Sequence, residues 1–261
     1  MADTHPVCVV GAAGRMGKAV LAALHEEPSL VVAGALESPG HPGLGREVEA
    51  GIHIVEHAEA ALSGCAVAID FTVPAATLAT ARVAAEAGVA YVAGTTGLSE
   101  PDRAALAEVA RRVPVLPANF SLAVNVLAWL AREAARHLGA GYDAEIFELH
   151  HSAKRDAPSG TALHLARAVA EGQGSSVEGR LVLQRAGEIG ARPVDAIGVQ
   201  TLRGGDNPGE HTVYFVGRGE RLELSHRSFT REHFARGAVR AAAWLAGRPP
   251  GLYSIEQSLG L

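Results

Sequence analysis

The chain is poor in several residue types, and each shortage excludes something. Only two of its 261 residues are cysteine, Cys8 and Cys65. Apolar residues flank both in stretches that read as buried strands, which predicts reduced core thiols and excludes a disulfide framework. No apolar run reaches the ~18 residues a membrane span needs. The start, Met1-Ala2-Asp3-Thr4-His5-Pro6, lacks the basic and apolar regions of an export leader, so a cytoplasmic protein with no membrane partner is expected. Positive charge is short too: 23 Lys and Arg against 28 Asp and Glu give a formal charge of −5. That argues against nucleic acid as a partner and still allows a local basic pocket. Aromatic residues make up 5%, yet 48% of the chain is hydrophobic and 20% charged, the balance of a globular protein. The length suits one large or two modest domains.

Glycine, by contrast, is abundant, and its first cluster is informative. The apolar strand Val7-Cys8-Val9-Val10 runs into Gly11-Ala12-Ala13-Gly14-Arg15-Met16-Gly17 and then into a helical pattern. A dinucleotide site needs glycine where the chain turns sharply, where backbone approaches a pyrophosphate, and where helix packs on strand. The spacing here is GxxGxxG, a departure from GxGxxG. A second strand ends at Glu37, twenty residues after Gly17, where a carboxylate would receive ribose hydroxyls and repel a 2′-phosphate. Ser38, Pro39 and Gly40 follow, with Arg46 the nearest later base, so NADH is expected to be preferred, with NADPH possible. Strands and helices then alternate through Asp70-Phe71-Thr72, Gly94-Thr95-Thr96-Gly97 and Pro117-Ala118-Asn119-Phe120. Near-continuous apolar strands predict a parallel sheet covered on both faces, with these turns gathered beyond the strands' carboxyl ends.

After a helix from Leu122 the pattern changes. A strand to Leu149, a helix from Thr161 and extended stretches at 196–202, 212–216 and 221–226 predict a mixed sheet. The whole reads as α/β: an N-terminal Rossmann-like parallel-sheet domain (1–120 plus 232–261) and a second α+β domain with a mixed sheet (121–231). Val213, Phe215, Leu222 and Leu224 alternate with polar residues, so one sheet face needs cover from helices or from another subunit. Two crossings between the domains would make a hinge.

The richest stretch for chemistry is Glu148-Leu149-His150-His151-Ser152-Ala153-Lys154-Arg155-Asp156-Ala157-Pro158-Ser159-Gly160-Thr161. Adjacent histidines and a lysine offer proton donors and positive charge. Pro158 suits a first helical turn, Ser159 or Asp156 could cap it, and Gly160 leaves the turn's N–H groups open to an anion. Adjacent histidines diverge, and no Cys or carboxylate joins them at a ligand spacing, so no metal is expected at His150, His151 or His164. His211, His226 and His233 read as structural or surface residues.

Together these motifs, with Arg203-Gly204-Gly205-Asp206, Gly209-Glu210-His211-Thr212 and Phe234 to Arg240, resemble the 4-hydroxy-tetrahydrodipicolinate reductase family over nearly the whole chain. The resemblance implies a homotetramer of two-domain subunits, joined through the second-domain sheet. It also implies NADH- or NADPH-dependent reduction of a cyclic dicarboxylate on the route to diaminopimelate and lysine. Carried over by position, His150 is the acid/base residue and Lys154 the proton donor, while His151, Ser159, Gly160 and Thr161 hold substrate. Gly11, Ala12, Ala13, Gly14, Arg15, Met16, Glu37, Gly94, Thr95, Thr96, Pro117, Ala118, Asn119 and Phe120 hold cofactor. Ser38 departs from relatives that use NADPH well, which tend to have a basic residue there. Another NAD(P)H dehydrogenase would share the first half without needing Lys154 and Ser159-Gly160-Thr161. A non-catalytic nucleotide sensor should have lost the proton donors that this chain keeps.

Overall fold

The computed structural model describes residues 4–261. Met1, Ala2 and Asp3, part of the stretch read as lacking leader character, lie outside the described residues. Two compact units are present, one built from residues up to Ser121 together with Arg231–Leu261, the other from Leu122–Thr230.

The first unit runs β1 (His5–Val10), α1 (Arg15–Leu24), β2 (Leu30–Leu36), β3 (Glu47–Glu49), β4 (Ile52–Val55), α2 (Ala58–Leu62), β5 (Val67–Asp70), α3 (Pro74–Ala87), β6 (Ala90–Ala93), α4 (Glu100–Val109) and β7 (Pro114–Pro117). The second comprises α5 (Leu122–Leu138), β8 (Asp143–His150), α6 (Gly160–Gly172), β9 (Leu181–Val182), β10 (Ile197–Arg203), β11 (Gly209–Val216) and β12 (Arg221–Ser228). The chain then returns to the first unit with α7 (Glu232–Leu245), β13 (Gly251–Leu252) and α8 (Ile255–Leu259).

Among the described residues the first sheet has eight strands in the order β13-β7-β6-β5-β1-β2-β4-β3. All its pairings are parallel except β3 with β4. β1 shows why it is covered on both faces. Val7 and Val9 point into one core with Val20 of α1 and Ala238, Ala242 and Leu245 of α7. Cys8 and Val10 point into another with Ala81 and Ala84 of α3 and Leu106 of α4. With a period of two, a strand buried on both sides must be apolar at every position, and β1 is from Val7 onward. Local signals set the helix ends: Pro74 opens α3 and left-handed Gly88 closes it, while Ser99 and Asp102 form a capping box on α4. Cys65 departs from the expectation, since it is half-buried in the turn before β5 and not within a strand.

The second sheet runs β12-β11-β8-β10-β9 and is mixed. β8 alternates in burial, with Ala144, Ile146, Glu148 and His150 buried. Val213 and Phe215 of β11 join that buried face, packed with Leu127 and Ala131 of α5 and Leu165 and Val169 of α6. The cover for this apolar face therefore comes from the unit's own helices, which resolves the alternative left open by sequence; Leu222 alone of the four remains well exposed. On the opposite face Arg185 and Arg192 reach from the β9–β10 connection to Glu145, at 2.7 and 2.9 Å. Burial alone would raise the Glu145 carboxyl, and these arginines reverse the sign and hold it low. Among the described residues no helix is long and apolar enough to cross a membrane.

Candidate active site

In the first unit the glycine turn is built as its spacing implies. Gly11 has φ +73°, a conformation that L side chains rarely adopt, and its N–H donates to the Leu36 carbonyl at 2.9 Å. A Cβ on Gly17 would collide with the Gly11 carbonyl, so α1 can lie this close to the turn only with glycine there. Arg15 and Met16 form the first turn of α1. The Glu37 carboxylate, at the end of β2, accepts from Ala13 N–H at 3.2 Å and from Ser38 N–H at 2.9 Å. Glu37 is thus fastened to the glycine turn although 24 residues separate it from Ala13.

The remaining expected cofactor residues lie at the carboxyl ends of β6 and β7, next to that of β5. Buried Asp70 accepts from Thr72 N–H and from the Tyr91 hydroxyl, both at 2.7 Å. Burial first, and then the Asp70 charge, push the Tyr91 phenol well up, so it remains a donor. Thr77 and Thr95 pair through their hydroxyls at 2.7 Å. A Cβ on Gly94 would run into the Phe71 ring, which itself meets Phe120 edge-on at 6.1 Å. Ala118 N–H donates to the Ala93 carbonyl, tying the Pro117–Phe120 turn to β6, and Asn119 Oδ1 accepts from Ser121 N–H at 3.0 Å. Thr96 is exposed beside them. A glycine turn leading into a helix N-terminus, with a carboxylate at its rim, fits a nicotinamide dinucleotide.

In the second unit the central group is one that sequence reasoning quoted without a role. Glu148, 0% exposed, lies on the inner face of β8, two residues before His150. His150 Nδ1–H donates to its Oε2 at 2.5 Å. Arg203 grips both carboxylate oxygens at 2.9 and 3.0 Å, Ser159 N–H donates at 2.9 Å and Thr201 Oγ1–H at 3.1 Å. Register explains the convergence, because Thr201 of β10 and His211 of β11 flank Glu148 on its two neighbouring strands. Burial by itself would raise the carboxyl; the bonds from His150, Arg203 and Ser159 outweigh it and bring it down to about 2.

Ser159, and not Asp156, caps α6, accepting from Ala162 N–H at 3.1 Å. Pro158 does not enter the helix as expected but precedes the cap, since Ser159 N–H is committed to Glu148 and keeps Ser159 extended. Gly160 and Thr161 then open the helix, and a Cβ at Gly160 would meet nothing within 4 Å. Lys154 Nζ donates to Asp156 at 2.8 Å. His151 N–H donates to the Asn207 carbonyl and His150's own carbonyl accepts from Gly204 N–H, so the loop is pinned to the β10–β11 turn. Arg203 adds a bond to the Asp156 carbonyl at 2.7 Å.

His211, read from sequence as structural or surface, is 3% exposed directly beneath this loop. Its Nε2 pairs with Ser159 Oγ at 3.2 Å, and its ring meets His150 edge-on at 5.0 Å. Burial, then the neighbouring His150, lower it to about 3, so it stays neutral. Glu148, His150 and His211 lie close enough together to offer a metal three ligand atoms. The carboxylate, however, is already occupied by the Arg203 guanidinium, and a cation would have to displace that charge. Glu148 was legible in principle: a charged residue at an inward position of an alternating strand signals a buried, paired group.

A layered α/β unit whose glycine turn is fastened to the Glu37 carboxylate, and a second unit that gathers His150, His151 and Lys154 at a helix entrance, have the build of an oxidoreductase of the nicotinamide-nucleotide class. The sequence pattern described as "Dihydrodipicolinate reductase, N-terminus" matches residues 5–120, and that described as "Dihydrodipicolinate reductase, C-terminus" matches residues 123–259. The chain belongs to this family. A relative from Anaeromyxobacter dehalogenans (strain 2CP-1), named 4-hydroxy-tetrahydrodipicolinate reductase, is 49% identical over 98% of this chain and 97% of its own length. One of the same name from Geotalea daltonii is 44% identical over 98% of each. Among solved structures, the dipicolinate-bound dihydrodipicolinate reductase from Paenisporosarcina sp. TG-14 shares the fold, with a TM-score of 0.76, 22% identity, and coverage of 96% of this chain and 97% of that one.

Proposed function

We propose that this chain catalyses the NAD(P)H-dependent reduction of 4-hydroxy-tetrahydrodipicolinate (dihydrodipicolinate) to tetrahydrodipicolinate, on the route to diaminopimelate and lysine. The observation that carries the reading is the end-to-end likeness to relatives of that name, at 43 to 49% identity. A nicotinamide dinucleotide, when bound, supplies the hydride. Gly11, Ala12, Ala13, Gly14, Arg15 and Met16 hold its phosphates, Glu37 its ribose, and Gly94, Thr95, Thr96 and Pro117–Phe120 line the remainder. The substrate's carboxylates are oriented by His151, Ser159, Gly160 and Thr161 at the α6 entrance, where backbone N–H groups and the helix dipole favour an anion. Once the substrate has accepted hydride it is an enamine-like carbanion that needs a proton, which Lys154 or His150 supplies.

Glu37 followed by Ser38 supports a preference for NADH, because the carboxylate opposes a 2′-phosphate and Ser38 offers no charge against it. The chain forms a homotetramer through the second unit's sheet, on the face turned away from α5 and α6, where Phe147, Leu149, Leu202 and Tyr214 stand partly exposed. It works in the cytoplasm.

The test is oxidation of NADH and, separately, NADPH by purified protein, with the dicarboxylate generated in situ from pyruvate and aspartate semialdehyde. Substrate-dependent loss of absorbance, faster with NADH, is the expected result. Faster turnover with NADPH would keep the reductase and remove the Glu37 argument. No turnover despite tight NADH binding would favour a nucleotide sensor.

A further inference from the structure

Deepening the reductase reading, on which it rests, we infer that Glu148 is a positioning residue: it holds the His150 ring with Nδ1 protonated and Nε2 as the nitrogen that works on substrate, and fastens the α6 entrance to the same carboxylate.

An ionised carboxylate only accepts, so the 2.5 Å contact between Glu148 Oε2 and His150 Nδ1 requires a proton on Nδ1. A neutral imidazole then has a bare Nε2, and the protonated ring has Nε2–H to give away. Ser159 N–H, Thr201 Oγ1–H and the Arg203 fork keep Glu148 ionised and immobile, and all but one of their bonds are 3.0 Å or shorter. Held so firmly, the carboxylate fixes both the tautomer and the orientation of the ring.

Nε2 faces Gly209, where a Cβ would lie 2.9 Å away. Gly209 also has φ +154°, and it stands where β11 begins. A side chain there would press on the nitrogen that must meet substrate; glycine leaves it room. Glu148 takes Nδ1, so Nε2 is the ring nitrogen left to work on substrate.

Ser159 N–H donates to Glu148 Oε1, and Ser159 is the cap of the helix whose first residues are Gly160 and Thr161. Arg203 ties the same carboxylate to the carbonyl of Asp156, the residue that takes the Lys154 ammonium. One buried carboxylate thereby sets the place of the acid/base ring and of the anion-binding turn together. Neutral His211, edge-on to His150 and bonded to Ser159, fills the floor between them without adding charge.

The experiment uses full-length protein labelled with ¹⁵N-histidine, in the wild type and in Glu148→Gln, with His150 assigned by its disappearance in His150→Asn. Long-range ¹H–¹⁵N spectra above the imidazole range read the tautomer, and steady-state kinetics separate kcat from KM. A Gln side chain can present either oxygen or NH₂, so the ring loses its instruction. Expected are an Nδ1–H tautomer in the wild type, loss of that preference in Glu148→Gln, a fall in kcat of roughly 100-fold, and an NADH Kd within about 2-fold of wild type, since a different unit holds the nucleotide. A wild-type His150 with a bare Nδ1 overturns the inference, and this reading needs no variant to fold. So does a folded Glu148→Gln that keeps its tautomer and loses less than about 3-fold in kcat. Absence of turnover in the wild type would overturn the reductase reading instead, and the spectrum would still decide whether Glu148 fixes the ring.

Discussion

Two buried groups at the site give stability a definite response to acid. Glu148 is brought from 4.5 to about 2, so its contribution is complete above about pH 5 and is lost as pH falls toward 2. The full shift corresponds to on the order of 3 kcal/mol. His211 falls from 6.5 to about 3, and here the unfolded chain takes up a proton that the folded one refuses. Its effect is therefore absent above about pH 6.5 and grows as pH drops from there toward 3. Acid lowers stability through both groups, His211 first and Glu148 below it. Trp129 on α5 and Trp244 on α7 report on different units, so in a Trp244→Phe background urea midpoints can be followed in the second unit alone. In His211→Asn the decline between pH 6.5 and 5 should be shallower, by up to ~1.4 kcal/mol per pH unit; an unchanged slope would clear His211 of the effect. A second residue-scale prediction concerns proton donation. Lys154→Ala should lower kcat by at least ~10-fold while NADH affinity survives, checked by turnover and by nucleotide fluorescence titration. His150 and Lys154 stand out as candidates in sequence because a string of unusual polar residues contrasts with an apolar background. The partners that fix the ring do not, because Arg203 and Gly209 reach it only through strand pairing across more than 50 residues.

At the scale of elements, the α6 entrance depends on one hydroxyl with two duties. Ser159 Oγ caps the helix and pairs with His211 Nε2, so Ser159→Ala should cost about 1 to 2 kcal/mol. Ser159→Thr should recover most of that loss, and urea unfolding of both variants checks it. The alternation of β1, β5 and β6 with helices was plain from sequence, because a strand buried on both faces has no polar positions to obscure it. β3, β9 and β13 were not, since two or three residues carry no periodicity. The start of α6 was read within one residue, at Thr161 against Gly160, but Pro158 was placed in its first turn: local propensity allows that, while the bond from Ser159 N–H to buried Glu148 holds the chain extended. A long-range bond prevailed over a local preference, and only the assembled sheet reveals it.

For the molecule as a whole, the expected assembly has a direct measure. Light scattering on the eluting protein should give four times the 26.9 kDa chain mass. Charged substitutions at Phe147 and Leu202 should reduce that mass without altering the far-ultraviolet spectrum, whereas a tetramer that survived them would place the contact elsewhere. Sequence left the cover of the Val213 and Phe215 face open between helices and another subunit, and the structure gives that face to α5 and α6. Alternation tells which residues share a face, but not which helix will arrive to cover it.

The order of the chain also sets an order of events at the ribosome. The first unit begins with β1, yet Ala238, Ala242 and Leu245 of α7 complete the core on one side of its sheet. Until synthesis has passed residue 245, that side of the sheet has no final partner, however long the earlier strands have been exposed. The second unit, a single uninterrupted segment from Leu122 to Thr230, carries no such debt and can close as soon as it emerges. A released chain truncated near residue 235 should therefore show protease resistance in the second unit and not in the first, since it holds all of the one and lacks the returning helix of the other.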